Sequence, residues 1–159
     1  YVRKAIGKTY SILPTKDTYS QGSWYGNDTL WRTILDLNRI AFFADKKGRL
    51  SKHIQRKQFI LVDAIVAGEG EGPMEPAPKK CGLLVGGFNP ALVDYACADL
   101  MGFDFKKIPA IKNAFNLFMC NPKDIELVSN KKENHLDSSL CGLNYQFKAT
   151  KGWVGNIER

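Results

Sequence analysis

The chain of 159 residues holds 23 lysines and arginines against 16 aspartates and glutamates, which gives a formal net charge of +7. With 44% hydrophobic residues it is large and apolar enough to bury a core as one domain. Its apolar runs stop at about eight residues, short of the roughly 20 that cross a bilayer, so no membrane span is expected.

The opening of the chain is predicted to be irregular. Residues 1–25 combine short apolar pairs with Pro14 and polar residues, which is typical of a loop or an edge strand. Trp24 and Tyr25 lie between glycines and either seal the core or line a pocket. The sequence starts at Tyr1 without a methionine, and its first twenty residues do not have the pattern of a secretory leader. We therefore expect a single domain over 1–159 that is the C-terminal fragment of a longer protein.

An amphipathic helix is predicted from Asp28 to about Ala44. Four apolar residues recur at helical spacing and should face inward: Leu30, Ile34, Leu37 and Ala41. Asn27 and Asp28 offer a cap, so Asp28 is either a first-turn acid or a ligand-binding residue.

A basic run, residues 46–57, follows this helix. It is read as a solvated connection, with an anion-binding patch as the alternative. No motif of a nucleic-acid-binding domain accompanies it, so no nucleic-acid partner is expected.

The strand predicted over 59–66 is apolar on both faces except for Asp63. Such a strand belongs in the middle of a sheet that is covered on both sides. A buried carboxylate needs a partner, so we expect Asp63 to be buried and either to accept backbone N–H groups or to face a ligand.

A glycine- and glutamate-rich loop is predicted at residues 68–73. Gly70 and Gly72 permit positive φ angles and close backbone approach. Glu69 and Glu71 would repel phosphate and suit a cation, an ammonium group or sugar hydroxyls. The alternative is that both glutamates are solvated turn residues.

A second strand over 81–86 leads into a helix over 90–101. Asn89 is the predicted N-cap, Pro90 occupies the first helical position, and Gly102 is placed for a left-handed C-terminal cap. Asp94 lies near the start of this helix and either stabilises the helix dipole or belongs to a site.

Shorter elements complete the predicted chain. We expect a helix over 108–118 and strands over 125–128 and 145–149, with a polar loop over 130–139 between the strands. His135 in that loop has no partner at a motif spacing and is expected to be exposed.

The four cysteines, at positions 81, 97, 120 and 141, form no C-x-x-C pair. The spacing therefore predicts no zinc site, no iron–sulfur cluster and no disulfide. Cys81 and Cys97 are read as small buried apolar residues, and a reducing, cytoplasmic location fits them best.

Five separated blocks resemble the domain-of-unknown-function family 362 over about 26–158. They read GNDTLWRTILDLNR from Gly26, VDAIVAGEGEGP from Val62, GFNPALVD from Gly87, LMGFD from Leu100 and GWVGNIE from Gly152. The resemblance implies a strand ending at an Asp, a glycine loop closed by Gly-Pro and a helix start at Asn-Pro. Some members carry ferredoxin-like cysteine clusters, which suggests that they act with redox proteins, but this chain has no such cluster. The family implies no established reaction.

These elements predict an α/β fold: a three-layer sandwich with a mixed, largely parallel central sheet flanked by helices. Ligands of open α/β sheets bind beyond the carboxyl ends of strands, where Asp63, the 68–73 loop and Asn89 should converge. The predicted ligand-binding residues are Asp28, Asp63, Glu69, Gly70, Glu71, Gly72, Asn89 and Asp94.

Two functions follow from this placement. In the first, the chain is an enzyme or part of one, and Asp63, Glu69 and Asp94 bind a divalent cation or a hydroxyl-rich or amine substrate, with one carboxylate acting as base. In the second, it is a non-catalytic interaction module whose basic run meets an acidic partner. The partner is a small molecule or the N-terminal part of the same protein. Acids that converge in a pocket favour the first function, and acids held by backbone groups favour the second.

Overall fold

The computed structural model describes residues 22–130 and 143–159. The irregular entry through residue 21, His135 and Cys141 lie outside the described residues. The elements in chain order are α1 (Leu30–Phe43), β1 (Ile60–Glu71), β2 (Glu75–Gly87), α2 (Pro90–Met101) and α3 (Pro109–Leu117), with 3₁₀ turns at Phe105–Lys107 and Pro122–Asp124. None of the helices in these ranges is long and apolar enough to cross a membrane.

The sheet is an antiparallel hairpin of β1 and β2, so the predicted three-layer sandwich with a largely parallel sheet is wrong for the described residues. Ile60 lies opposite Gly87 at the open end of the hairpin, and Glu71 lies opposite Glu75 at its turn. Only residues 72–74 join the strands, whereas parallel strands need a crossover of about a dozen residues or more.

The strands also extend further than the sequence suggested. β1 continues through the glycine- and glutamate-rich residues 68–71, which were predicted to form a loop because both residue types are poor strand formers. Pairing with β2 supplies ladder hydrogen bonds that outweigh this weak preference. The predicted rim loop is therefore the far half of a strand.

A β-bulge between Ala64 and Val66 divides β1 into two halves. On each side of it, half-buried residues alternate with exposed ones as far as Glu69. We call the half-buried side the inner face and the exposed side the outer face. Asp63 lies on the outer face and is exposed, so the expectation that it is buried is wrong. Its strand is apolar on both sides, but only the inner side is covered.

The core lies between the inner face and the helices. α2 packs against β2, and α3 packs against both α1 and α2. Phe42 meets Phe118 edge to face, with ring centroids 5.0 Å apart. Aromatic residues dominate the buried cluster, which also holds Ala91 at the start of α2 with no exposed surface.

α2 begins and ends where its capping residues place it. The Asn89 side-chain oxygen accepts hydrogen bonds from the Ala91 N–H at 3.0 Å and the Leu92 N–H at 3.4 Å. At the other end Gly102 has φ of 85°, the left-handed conformation that glycine adopts without strain. The predicted boundaries of this helix are confirmed.

α1 is also present, but it presents a different face to the core. Its start is capped by the Asn27 side chain, which accepts from the Thr29 and Leu30 N–H groups. The residues expected to face inward are exposed, with Leu37 61% exposed. Phe42 and Phe43 are the buried residues instead, so the last turn anchors the helix.

The closing segment, which we define as residues 143–159, crosses the end of α2 and the turn end of the hairpin. Tyr145 and Phe147 donate backbone hydrogen bonds to the carbonyls of Leu100 and Met101. The strands predicted at 125–128 and 145–149 do not form. Further along, Trp153 packs edge to face on Tyr25. Tyr25 therefore belongs to the packed edge of the domain.

Candidate functional site

Glu69 lies on the inner face of β1 and is largely buried, with 10% of its side chain exposed. Its Oε2 accepts a hydrogen bond from Lys79 Nζ at 2.8 Å and another from the Lys148 N–H at 3.0 Å. The Lys79 ammonium and then the Lys148 N–H hold the pKa of Glu69 below its usual range. Through Oε2, this carboxylate joins the hairpin to the closing segment.

The neighbouring residues of β1 hold the same segment. Glu71 Oε1 accepts from the Lys151 N–H at 2.8 Å, and the Gly70 N–H donates to the Lys148 carbonyl at 3.0 Å. Gly70 needs its glycine, because its φ is 79°. The Gly72 N–H donates to the Gly70 carbonyl at 2.9 Å and tightens the turn. The acidic residues of this stretch thus serve as backbone acceptors.

Lys79 completes this junction from β2. Its Nζ donates to the Gln146 carbonyl at 3.1 Å and lies 5.1 Å from the centroid of the Phe147 ring. The ammonium therefore meets a carboxylate, a carbonyl and an aromatic face. An added cation would have to displace Lys79 before it could reach Glu69.

Asp63 is separated from this junction by the sheet itself. It is six positions before Glu69, so regular alternation would put both carboxylates on one face. The bulge sets two residues of β2, Cys81 and Gly82, opposite Ile65. The alternation along β1 reverses at this point, where Ile65 and Val66 are both exposed. On the outer face, Asp63 Oδ1 accepts a hydrogen bond from the Ile65 N–H at 3.0 Å, so the predicted backbone bond is present without the predicted burial.

The other predicted ligand-binding residues lie apart from β1. Asp28 forms an ion pair with Arg32 at 2.9 Å and accepts from the Trp31 indole N–H, and hydrogen bonds from these two residues lower its pKa. Asn89 caps α2. Asp94 belongs to an exposed position of α2, although desolvation by its surroundings raises the pKa of its carboxyl. The structure does not bring these side chains together.

The described ranges contain no group of three or more His, Cys, Asp or Glu side chains that could hold a metal ion. Cys81, Cys97 and Cys120 form no disulfide with one another. The Cys120 thiol has a raised pKa, chiefly because burial disfavours the thiolate. A low thiol pKa, which marks a reactive cysteine, is therefore absent at Cys120.

The sequence analysis did not predict a buried ion pair that the structure contains. Arg159 Nη1 lies 2.7 Å from Asp99 Oδ1, and Nη2 of the same guanidinium donates to the Asp99 carbonyl. Only 6% of the Asp99 side chain is exposed. The signal was present in the helical period, because Asp99 lies three positions after buried Ala96 and hence on the same face.

The most unusual surface of the protein is the outer face of the hairpin. Six large apolar side chains on it are between 53% and 72% exposed: Phe59, Leu61, Ile65, Val66, Leu84 and Phe88. A Cβ at Gly86 would come within 2.7 Å of the Phe59 ring, so the absence of a side chain there lets Phe59 lie on the sheet. Phe59 and Phe88 meet edge to face at 5.1 Å.

Comparison with known proteins supports the resemblance seen in the sequence blocks. The family described as "Domain of unknown function (DUF362)" matches residues 5–99. The match includes α1, both strands and most of α2, whereas the blocks from Leu100 and Gly152 lie beyond it. No curated protein and no solved structure matches the chain.

Proposed function

We propose that this chain, which belongs to the DUF362 family, is a non-catalytic binding module that holds a partner polypeptide on the outer face of its hairpin. The observation that carries the proposal is the row of six exposed apolar side chains on that face. Contiguous exposed apolar surface is uncommon on soluble proteins and marks interaction sites.

The energy available from this face is comparable to the cost of association. Full burial of a large apolar side chain contributes about 1.5–3 kcal/mol, and these six have 53–72% of their surface left to bury, so they could supply roughly 5–11 kcal/mol. Association costs an estimated 4–15 kcal/mol in lost freedom. A two-stranded hairpin is also marginally stable by itself, so a partner that covers its second face would stabilise the fold as well.

The state of the acids supports a binding module over an enzyme. Glu69 and Glu71 accept hydrogen bonds from the closing segment, and Asp63 lies on the opposite face of the sheet. A general base needs a carboxylate that can reach a substrate proton. Neither of these glutamates is free to do so.

The charge around the outer face indicates the chemistry of the partner. Residues 46–57 end two positions before Phe59 and carry six lysines and arginines with no acidic residue. All of these residues except Ser51 are exposed. Opposite charges steer binding and fix orientation. The expected partner is a polypeptide whose apolar residues cover the outer face and whose acidic flank meets this basic run.

A displayed library of random peptides tests the proposal with a defined probe. The wild-type chain should enrich peptides that combine apolar residues with acidic ones, and their binding should weaken as salt is raised. Leu84→Lys should abolish that binding, since a lysine in the apolar patch would be desolvated by the peptide. Leu84 is 61% exposed, so its replacement should leave the thermal midpoint nearly unchanged.

Val128→Lys is the matched control, because Val128 is 90% exposed and lies outside the hairpin. This variant should enrich the same peptides as the wild type. The proposal fails if no peptide family is enriched, or if Leu84→Lys and Val128→Lys bind the enriched peptides equally well.

A further inference from the structure

A second binding surface lies on the helical side of the molecule. A cavity of about 390 Å³ opens between the end of α1, the segment that follows it and the end of α3. It is lined by Arg39, Phe43, Leu50, Ser51, Lys52, Asn116, Leu117 and Met119. It is a shallow depression that is open to solvent, so a molecule bound there would keep one side in water.

The charged residues that line the cavity are all positive. Arg39 and Lys52 are its charged residues, and no acid faces them from any lining position. Neither residue forms an ion pair within the described part of the chain. Phe43, Leu50, Leu117 and Met119 make most of the remaining wall apolar. An apolar wall with two uncompensated cations is complementary to an apolar molecule that carries an anionic group.

Met119 adds an independent observation at the mouth of this cavity. It follows the last turn of α3 with φ of 49°, a left-handed conformation that strains a side chain. Apart from Gln146, the other described residues in this conformation are glycines, including Gly102 at the equivalent place after α2. The Cys120 N–H donates to the Phe115 carbonyl and closes the turn, so the backbone requires this geometry.

The strained methionine is also exposed. Met119 has 74% of its surface accessible, so core packing does not explain why a methionine occupies a position suited to glycine. The turn fixes the backbone, but it does not explain the choice of methionine over glycine, and a strained residue of this kind is a feature of ligand sites. Methionine is flexible and polarisable, and it adapts to apolar ligands of varied shape.

We propose that this cavity binds a small organic anion: a carboxylate held by Arg39 and Lys52 on an apolar body that contacts Phe43, Leu50, Leu117 and Met119. Inorganic phosphate lacks the apolar body and would leave the wall exposed to water. The cavity shares Leu50, Ser51 and Lys52 with the basic run, but no residue of the outer face of the hairpin lines it. Octanoate binding therefore does not require the apolar face that carries the polypeptide-binding function.

Octanoate is the probe, with octanamide as its neutral analogue and inorganic phosphate as an anion without an apolar body. Calorimetric titration of the full chain should give one site for octanoate. Octanamide should bind more weakly by a factor of about ten or more, since it lacks the charge-assisted hydrogen bonds. Phosphate should give no measurable heat at the same concentrations.

Three variants and one control locate the site. Arg39→Gln and Lys52→Gln should each weaken octanoate binding by about tenfold. Lys112→Gln removes an exposed cation of α3 that does not line the cavity, and it should bind octanoate as the wild type does. Met119→Gly should weaken binding severalfold while the thermal midpoint of the unliganded protein stays level or rises, because glycine relieves the left-handed strain.

Met119→Gly should weaken octanoate binding without lowering the thermal midpoint, and this combination distinguishes a binding role of Met119 from a structural one. The proposal is overturned if octanoate and octanamide bind equally well, or if octanoate does not bind at all. It is also overturned if Lys112→Gln weakens binding as much as Lys52→Gln does, which would indicate a general effect of charge.

Discussion

Replacing Asp99 with asparagine should destabilise the protein more than any other single loss of negative charge on its helices. The substitution keeps the size of the side chain but removes the charge that Arg159 meets at 2.7 Å. Asp99 is 5% exposed, so water cannot replace the guanidinium as its partner. Arg159 would retain its hydrogen bond to the Asp99 carbonyl, which the substitution does not alter.

The expected loss follows from the burial of the two partners. Removing one member of a buried ion pair costs about 3–5 kcal/mol. Arg159 keeps 34% of its side chain exposed, so water can solvate part of the charge left behind. We therefore expect a loss of about 2 kcal/mol, which corresponds to a fall in the thermal midpoint of roughly 4–8 °C for a chain of this size.

Urea unfolding followed by tryptophan fluorescence measures this loss. Asp36→Asn is the control, because Asp36 is an exposed helical acid, and its replacement should change stability by less than about 0.5 kcal/mol. A double-mutant cycle with Arg159→Met should give a coupling of about 1 kcal/mol or more. If Asp99→Asn unfolds at the same urea concentration as Asp36→Asn, the ion pair does not anchor the closing segment.

Three further outcomes are expected. The folded-state pKa of Glu69 lies below its ordinary value, so the stability that the carboxylate confers is present above the ordinary pKa and is lost as the pH falls through the lowered one. The thermal midpoint of Glu69→Gln should therefore drop less on acidification than that of the wild type. Asn89→Ala should destabilise the chain by about 1 kcal/mol in urea unfolding through the lost cap, whereas Asn89→Asp should lose little. Titration with calcium or magnesium should leave the thermal midpoint unmoved, because Glu69 and Glu71 already accept hydrogen bonds; a clear rise would show that a cation displaces Lys79.

The helices were predictable because their signals are local. Asn89, Pro90 and Gly102 set the limits of α2 through contacts within a few residues, and the structure has this helix at the predicted place. α1 shows the limit of such reasoning. The spacing of Leu30, Ile34 and Leu37 identifies a helix, but it does not determine which other part of the chain covers that face.

The sheet and the candidate site depended on features that the sequence does not display. Strand direction followed from the shortness of the turn at residues 72–74. The glycines at positions 68, 70 and 72 concealed this, because they made the end of β1 resemble a longer loop. The bulge beyond Ala64 involves Gly82 of β2, whose φ of 67° is left-handed, but one glycine in a glycine-rich stretch does not identify a bulge from sequence. The bulge decides that Asp63 and Glu69 face opposite sides. Partners such as Lys148 for Glu69 are 79 positions away, beyond the reach of any local pattern.

The closing segment has a consequence for the order in which the protein is made. Its bonds join residues 79 and 80 positions apart at the hairpin, and Arg159 reaches back 60 positions to Asp99. On the ribosome, β1 and β2 can pair as soon as they emerge, but Glu69 and Asp99 have no cationic or backbone partner from this segment until it has been translated. The nascent hairpin can pack its inner face on the helices in that interval, but the ion pairs and hydrogen bonds to the closing segment are still missing. Chaperones that bind apolar strands would meet its exposed outer face.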